Sequence, residues 1–139
     1  MGPLGEELGW RAFLYPAFKD SYGWMASALI VGVIWALWHA PLWLIDSPQS
    51  KIPFSVFGGN IICLSILMAI VYNHSNGSLI PIILFHLIFN MSSGVMDIIG
   101  THESGDYFTK SLYFYVPLVL IFSGIHEWAN QSQCTLNAP

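Results

Sequence analysis

Two adjacent carboxylates near the start of the chain, Glu6 and Glu7, lie in the sequence GEELGWR, which leads into the apolar stretch AFLYP. If this segment is helical, Glu7 and Arg11 are four residues apart and can form an ion pair on one helix face. Glu6 then points about 100° away and lacks that partner. A carboxylate without a salt-bridge partner can act as a general base in a dry setting. The spacing alone also fits an ordinary acidic first turn, which the helix dipole favours.

Two further motifs place polar groups inside apolar stretches. They are WALWH, from Trp35 to His39, and HLIFN, from His86 to Asn90. Their spacing puts His86 and Asn90 on one helix face, where they could bind a metal or donate hydrogen bonds to a developing oxyanion. The alternative for both motifs is a structural role, in which the polar side chains bond to neighbouring helices.

The elements that carry these groups are predicted to be membrane helices. The 139 residues include four Lys plus Arg and eight Asp plus Glu, so 9% are charged and 55% are apolar. An ordinary soluble domain has roughly 25% charged residues. This composition excludes a soluble globule, a disordered chain and a basic nucleic-acid-binding protein, so no nucleic-acid partner is expected. The expected surroundings are a lipid bilayer. An ionisable group inside a bilayer is energetically costly, so each one there is expected to have a function or a partner.

Four apolar stretches are predicted to cross the bilayer, in an all-α polytopic helix bundle that also has an N-terminal motif helix. They are about 22–45, 55–72, 78–99 and 111–125. A crossing takes about 20 residues at 1.5 Å each. The first and third stretches are long enough, and the second is marginal. The fourth is short and contains Pro117, so it crosses only if Trp128 and its neighbours extend it to the interface. The remaining histidines, His74, His102 and His126, fall in loops or at edges and are expected to be solvated.

Taken together, the three motifs resemble the CPBP family, the CAAX-prenyl-protease and bacteriocin-processing intramembrane proteases that are also called Abi proteins. The family pattern is Glu-Glu-x-x-x-Arg, then an aromatic-x-x-x-His, then His-x-x-x-Asn. The matching positions are Glu6, Glu7 and Arg11, then Trp35 and His39, then His86 and Asn90. Many members have Phe at the first position of the second motif, where this chain has Trp35. The resemblance covers the chain from residue 2 to about residue 100.

The resemblance implies hydrolysis of a peptide bond in a peptide or protein substrate at the membrane. Carried over to this chain, the base that activates water would be Glu6, and His39 would assist it or bind the same water. His86 and Asn90 would donate hydrogen bonds to the oxyanion.

Two further implications of the resemblance concern support and a metal. Glu7 and Arg11 would hold the first motif in shape. In a metal version of the mechanism, the ligands of a divalent ion such as zinc would be Glu6, His39 and His86, with a bound water as nucleophile. The residues do not decide between the two versions, although the absence of H-E-x-x-H excludes a zincin-type site.

The resemblance also implies how the chain is organised and where it works. Residues 1–129 would be a partial protease domain that lacks its N-terminal helices, and residues 130–139 would be a polar tail. The implied location is the bacterial plasma membrane. Two other functions are left open, a non-catalytic scaffold or immunity protein and a fragment of a proton- or metal-handling transporter. A protease needs the motif residues around one water-accessible cavity, a relay needs them along the membrane normal, and a scaffold needs them paired and dry.

Overall fold

The computed structural model describes the backbone of residues 2–99 and 104–136 and the side chains of residues 2–92 and 108–132. The regular structure of these residues is helical, as predicted. The five α-helices are α1 (Pro3–Gly9), α2 (Tyr15–Trp38), α3 (Phe54–His74), α4 (Ile80–Ile99) and α5 (Ser104–Leu136). A π-helical turn, Trp10–Leu14, joins α1 to α2, and two 3₁₀ turns, Ala40–Leu44 and Gln49–Lys51, lie between α2 and α3.

The π-helical turn lies where the first motif meets α2. Pro16 has no backbone N–H, and its ring crowds the carbonyl four residues earlier. The regular α-helical hydrogen bond between these two residues therefore cannot form. The Tyr15 N–H bonds to the carbonyl of Trp10, five residues back. Single π-helical turns of this kind are frequent at functional sites. The turn therefore adjusts the helix next to the motif without ending it.

The chain reverses direction at Gly23. Its φ of 76° and ψ of 168° lie outside the helical region, in a conformation that glycine adopts readily. Glu6 and Trp35 are hydrogen-bonded although 29 residues separate them, which would be about 43 Å along a straight helix. The two arms, residues 3–22 and 24–38, therefore fold back on each other.

Helix α3 is the centre of the bundle, and it packs against α2, α4 and α5. Gly32 allows a close approach of α2, because a Cβ there would lie 3.0 Å from the Ser65 Cβ and 3.1 Å from the Ile62 Cα. At the same contact the Ser65 hydroxyl donates to the Ala28 carbonyl at 2.8 Å. Small residues and interhelical hydrogen bonds are the usual means by which membrane helices associate.

The fold confirms the all-α bundle and changes the bounds of the predicted spans. By length and composition, three described segments can cross a membrane, Pro3–Leu44, Phe54–His74 and Phe108–Ser132, and a shorter apolar helix is Ile80–Ser92. The first segment has 42 residues, but it is divided by the reversal at Gly23. Pro117 lies inside α5 without ending it, so the fourth predicted stretch is longer than the sequence suggests. The predicted polar tail continues α5 as far as Leu136.

Candidate active site

Residues of the three motifs meet in one cluster, which is buried at its centre and partly exposed at Glu6 and His39. We call this group the motif cluster, and its members are Glu6, Glu7, Arg11, Trp35, His39 and His86. The first three come from the first arm, Trp35 and His39 from the end of the second arm, and His86 from α4. The cluster therefore depends on the reversal at Gly23 and on the return of the chain through α4.

Glu7 is the centre of a buried ion network. Its side chain is 0% exposed, and that of Arg11 is 1% exposed. Arg11 Nη1 donates to Glu7 Oε1 at 3.2 Å and lies 3.1 Å from Oε2. His86 Nδ1 lies 2.7 Å from the same Oε1. These contacts confirm the ion pair predicted from the four-residue spacing and add to it a histidine from α4.

The bond to Glu7 fixes the role of each nitrogen in the His86 ring. An ionised carboxylate only accepts, so Nδ1 is the donor and Nε2 is the free nitrogen. Nε2 is an acceptor when the ring is neutral and a donor when it is protonated. The ring can therefore donate to a substrate oxygen through Nε2 only in its protonated form.

Trp35 lies between the motifs and contacts residues of all three. Its indole Nε1 donates to Glu6 Oε2 at 2.9 Å. The Arg11 Cζ lies 4.6 Å from the ring centroid, in a cation–π contact. The rings of His86 and His39 lie 5.2 and 6.2 Å away, centroid to centroid. One buried side chain therefore connects the three motifs.

His39 caps the end of α2 at the edge of the cluster. Its Nδ1 lies 2.9 Å from the Trp35 carbonyl. Because a carbonyl only accepts, Nδ1 is the donor and Nε2 is the free acceptor of a neutral ring. The ring packs against Trp38 at 5.0 Å and Phe57 at 5.3 Å, and the side chain is partly exposed. His39 can therefore accept a hydrogen bond from a water molecule at the edge of the cluster.

Asn90 lies one helical turn beyond His86 on α4, and its side chain is exposed. The contacts of the described residues do not bring it into the motif cluster. Its role as an oxyanion donor therefore stays a prediction from the resemblance.

Several buried polar atoms in or beside the cluster lack a hydrogen-bond partner among the described residues. They are Glu7 Oε2, Arg11 Nη2 and Trp10 Nε1, and a fourth such atom, Ser123 Oγ, lies elsewhere. Buried polar atoms are paired in most proteins, and unpaired ones are informative about function. The cluster therefore has hydrogen-bonding capacity left for water or for a polar group of a substrate.

An apolar groove of about 340 Å³ lies between α3, α4 and α5. Its lining includes Leu67, Phe85, Phe89 and Leu118 and has no charged residue. Phe85 and Phe89 flank His86 along α4, so the groove borders the helix that carries the third motif. A groove of this size and lining can hold an apolar chain, and the polar groups of its lining are the hydroxyls of Ser92 and Tyr115.

Comparisons with known proteins agree with the geometry. The family model "Type II CAAX prenyl endopeptidase Rce1-like" matches residues 1–92, which include all three motifs. The chain belongs to this family. CAAX prenyl protease 2 of Methanococcus maripaludis is 27% identical over 124 residues, which are 84% of this chain and 45% of that relative. The chain thus spans about half the length of that relative. No solved structure matches the chain.

Family membership and the apolar helices make the chain an integral membrane protein, as predicted. The metal version of the site requires three donors around one point. Among the residues with described side chains, no three His, Cys, Asp or Glu are arranged to hold a metal ion. The hydrogen bonds engage Glu6 Oε2 and the Nδ1 atoms of His39 and His86, so Glu6 Oε1 and the two Nε2 atoms are the donors that a metal would use. The donor types suit zinc, but in the described arrangement they do not surround one point, and zinc stays a prediction from the resemblance.

One sequence expectation about the other histidines is wrong. His126 is 5% exposed rather than solvated, and its Nδ1 lies 3.0 Å from His74 Nε2. The reason is that α5 continues beyond the predicted stretch and brings His126 against the end of α3. His74 itself is exposed, as expected, and His102 lies outside the described residues. The spacing of His126 and Asn130, the same as in the third motif, is the sequence signal that indicates this second polar site.

Proposed function

We propose that this chain carries the active site of an intramembrane endopeptidase of the CAAX prenyl protease type. The observation that supports it best is the 2.7 Å contact between His86 Nδ1 and Glu7 Oε1. This contact joins the first motif to the third, and Trp35 joins both to the second. A transporter relay would need these residues spread along the membrane normal, whereas here they converge on one indole ring.

In the proposed reaction, Glu6 takes a proton from a water molecule as the water oxygen attacks the carbonyl carbon of the scissile peptide bond. His39 Nε2 accepts the second hydrogen bond of that water and orients it. The attack produces a tetrahedral intermediate with a negative oxygen. When the C–N bond breaks, Glu6 returns its proton to the leaving amine, so the carboxylate is regenerated.

The negative oxygen needs donors that are already in place. His86 supplies one through Nε2–H when its ring is protonated, and the resemblance assigns a second to Asn90. Glu7 keeps the His86 ring oriented through Nδ1, and Arg11 holds Glu7 in position through their ion pair. In this version of the mechanism Glu6 activates the water directly, without a metal.

The substrate we propose is a prenylated protein with a C-terminal CAAX sequence, by analogy with the relative's name. The apolar groove beside α4 is suited to the isoprenoid chain. Leu118→Trp should fill the groove and raise the KM for a prenylated peptide severalfold, with kcat unchanged. The matched control is Leu120→Trp, which changes an exposed residue of the same helix outside the groove. An equal KM in both variants would argue against the groove as the isoprenoid site.

The decisive experiment measures cleavage of a fluorescence-quenched prenylated peptide by the full-length protein in phospholipid vesicles. Glu6→Gln should lower kcat by about 10²- to 10⁴-fold, because the base is removed. The control is Glu127→Gln, the same substitution at an exposed carboxylate on α5, which should cleave normally. Full activity of Glu6→Gln would refute the proposed function. Inhibition by chelators, reversed by added zinc, would replace the metal-free version with the metal version.

The remaining predictions from the resemblance belong to the same proposal. The proposed location is the bacterial plasma membrane, and the proposed partners are the lipid bilayer and the protein substrate. A non-catalytic scaffold or immunity protein is the alternative, and it predicts normal membrane insertion with no cleavage in any of these assays.

A further inference from the structure

Trp35 makes a polar contact with the proposed base from a buried position. Its side chain is 1% exposed, and its Nε1 donates to Glu6 Oε2 at 2.9 Å. Nε1 is the one polar atom of a tryptophan side chain, so this hydrogen bond depends on the indole itself. A phenylalanine at this position would have no donor.

The hydrogen bond has a physical consequence for the Glu6 carboxylate. A glutamate side chain has three rotatable bonds, and an unrestrained carboxylate samples many orientations. A hydrogen bond to an ionised acceptor is stronger than one between neutral groups, so it can hold the carboxylate in one orientation. With Oε2 occupied by the indole, Oε1 is the oxygen left to take a proton from water. Fixing a reacting group in this way contributes directly to rate.

The indole ring fixes the direction of its own N–H. Arg11 lies over one face at 4.6 Å, and His86 meets the ring at 5.2 Å with an interplanar angle of 73°. Both contacts are with groups that Glu7 already holds. The ring therefore cannot rotate without disturbing the ion network, and the donor to Glu6 is set by the same network that orients His86.

We propose that Trp35 is a positioning residue that orients Glu6 for proton transfer through its indole N–H. The proposal rests on the proposed function, in which Glu6 is the base. It assigns two separable tasks to one side chain. The ring organises Arg11 and His86, which Phe can do in part, and the N–H orients Glu6, which Phe cannot do.

The test separates the N–H from the ring. Trp35→Phe removes the donor and shortens the ring, whereas replacement of Trp35 by 3-benzothienylalanine exchanges the N–H for sulfur and keeps the shape. In the full-length protein, both changes should lower kcat for the quenched prenylated peptide by about tenfold or more, as expected for one hydrogen bond to a charged group. KM should stay within about twofold, because the contact acts on Glu6 and not on the substrate.

The chain offers two matched controls. Trp24 on α2 donates through Nε1 to the Glu127 carboxylate, and Trp43 donates through Nε1 to the Ile52 carbonyl at 2.9 Å. Trp24→Phe and Trp43→Phe each remove a tryptophan hydrogen bond outside the motif cluster. Both variants should retain kcat within twofold, so a general loss of tryptophan packing would be recognised.

The outcomes distinguish this inference from the proposed function. If Glu6→Gln is inactive while the benzothienylalanine variant keeps full kcat, Trp35 acts by packing alone and the inference is wrong, but the proposed function stands. A rise in KM with unchanged kcat would also overturn it, since Trp35 would then contact the substrate. If Glu6→Gln is fully active, the proposed function itself is wrong. Because the analogue keeps the ring, its unfolding temperature should match that of the unmodified protein.

Discussion

The motif cluster and a second polar cluster at the other end of the second arm, residues 24–38, share tryptophan, histidine and glutamate side chains. We call the second group the distal cluster, and its members are Trp24, His74, His126, Glu127 and Asn130. Each cluster has an indole that donates from α2 to a glutamate, Trp35 to Glu6 and Trp24 to Glu127. Each also contains a histidine from a His-x-x-x-Asn sequence, HLIFN at 86–90 and HEWAN at 126–130. Trp24 and Trp35 are about 16 Å apart along the helix.

The two clusters differ in where their charges lie. In the distal cluster Glu127 is exposed, and neutral groups form a complete chain. Asn130 Nδ2 donates to His126 Nε2 at 3.2 Å, and His126 Nδ1 lies 3.0 Å from His74 Nε2. In the motif cluster Glu7 and Arg11 are fully buried. Arg11 Nη2 and Glu7 Oε2 make no hydrogen bond among the described residues, although Oε2 lies 3.1 Å from Arg11 Nη1. Buried charge with remaining hydrogen-bonding capacity, more than residue type or spacing, distinguishes the candidate active site.

The largest effect should follow from removing the buried cation. Arg11→Met leaves the buried Glu7 carboxylate with His86 as its only charged partner, so the free energy of unfolding should fall by about 3–5 kcal/mol. Lys19→Met is the control near the distal cluster. Lys19 bonds to Asn73 in a partly exposed position at 2.7 Å, and its loss should change stability by less than about 1 kcal/mol. Denaturant titration in mixed micelles measures both.

A second substitution tests whether the fall comes from an unpaired charge rather than from lost packing. Arg11→Met combined with Glu7→Gln removes both charges, and it should recover part of the stability that Arg11→Met alone loses. Equal losses in the single and double variants would mean that the lost packing of the Arg11 side chain, and not an unpaired charge on Glu7, causes the fall in stability.

The next effect contrasts the two histidines. His86→Ala removes the proposed oxyanion donor, and it should lower kcat by about 10²- to 10³-fold. His126→Ala removes two neutral hydrogen bonds, so it should destabilise the fold by about 1–3 kcal/mol while cleavage per folded molecule stays within twofold. Peptide cleavage and thermal unfolding of the same preparations separate the two effects. Equal losses of kcat in both variants would show that the buried charges around His86 do not determine activity.

Much of the fold was predictable from composition and hydropathy, because a membrane forces apolar stretches into helices. The exceptions have local causes. Gly23 looks like one small residue within an apolar run, and only its positive φ reveals the reversal. Pro117 suggests the end of a span, but a proline within a helix does not always end it. The sequence left the extension through Trp128 open for that reason, and the segment Phe108–Ser132 includes it.

In the candidate site, the contacts between residues close in sequence were predictable, and those between distant residues were not. The Glu7–Arg11 ion pair follows from a spacing of four residues along one helix. The contact of His86 with Glu7, rather than with Glu6, joins residues 79 apart in sequence, and no local pattern determines it. The same is true of the bond between Trp35 and Glu6. In the second motif Trp35 looks like a mild departure from Phe, and only the fold shows what its N–H contacts.

A smaller effect should come from the contact between α2 and α3 that lies between the two clusters. Gly32→Ala places a Cβ 3.0 Å from Ser65 and 3.1 Å from the backbone of Ile62, so the helices must separate slightly. We expect a loss of about 1–3 kcal/mol. Gly124→Ala is the control on α5, where a Cβ meets nothing within 4 Å, and its effect should be neutral or slightly stabilising. Gly32 lies between Trp24 and Trp35 on α2, so separating the helices shifts both tryptophans. If the motif cluster tolerates less displacement than the distal cluster, kcat should also fall in Gly32→Ala.

The smallest effect tests the polar contacts beside the distal cluster. Asn73 accepts from Lys19 at 2.7 Å and from the Tyr15 hydroxyl at 3.3 Å, and its Nδ2 lies 3.1 Å from that hydroxyl. Asn73→Ala should lower the free energy of unfolding by about 1 kcal/mol, because Lys19 can turn to solvent while the buried Tyr15 hydroxyl loses its partner. Tyr15 is on the same arm as Glu7 and Arg11, so a change in kcat would show that the two clusters are coupled along this arm. Unchanged kcat, measured at equal folded fraction, would show that the distal cluster contributes stability without controlling the geometry of the motif cluster.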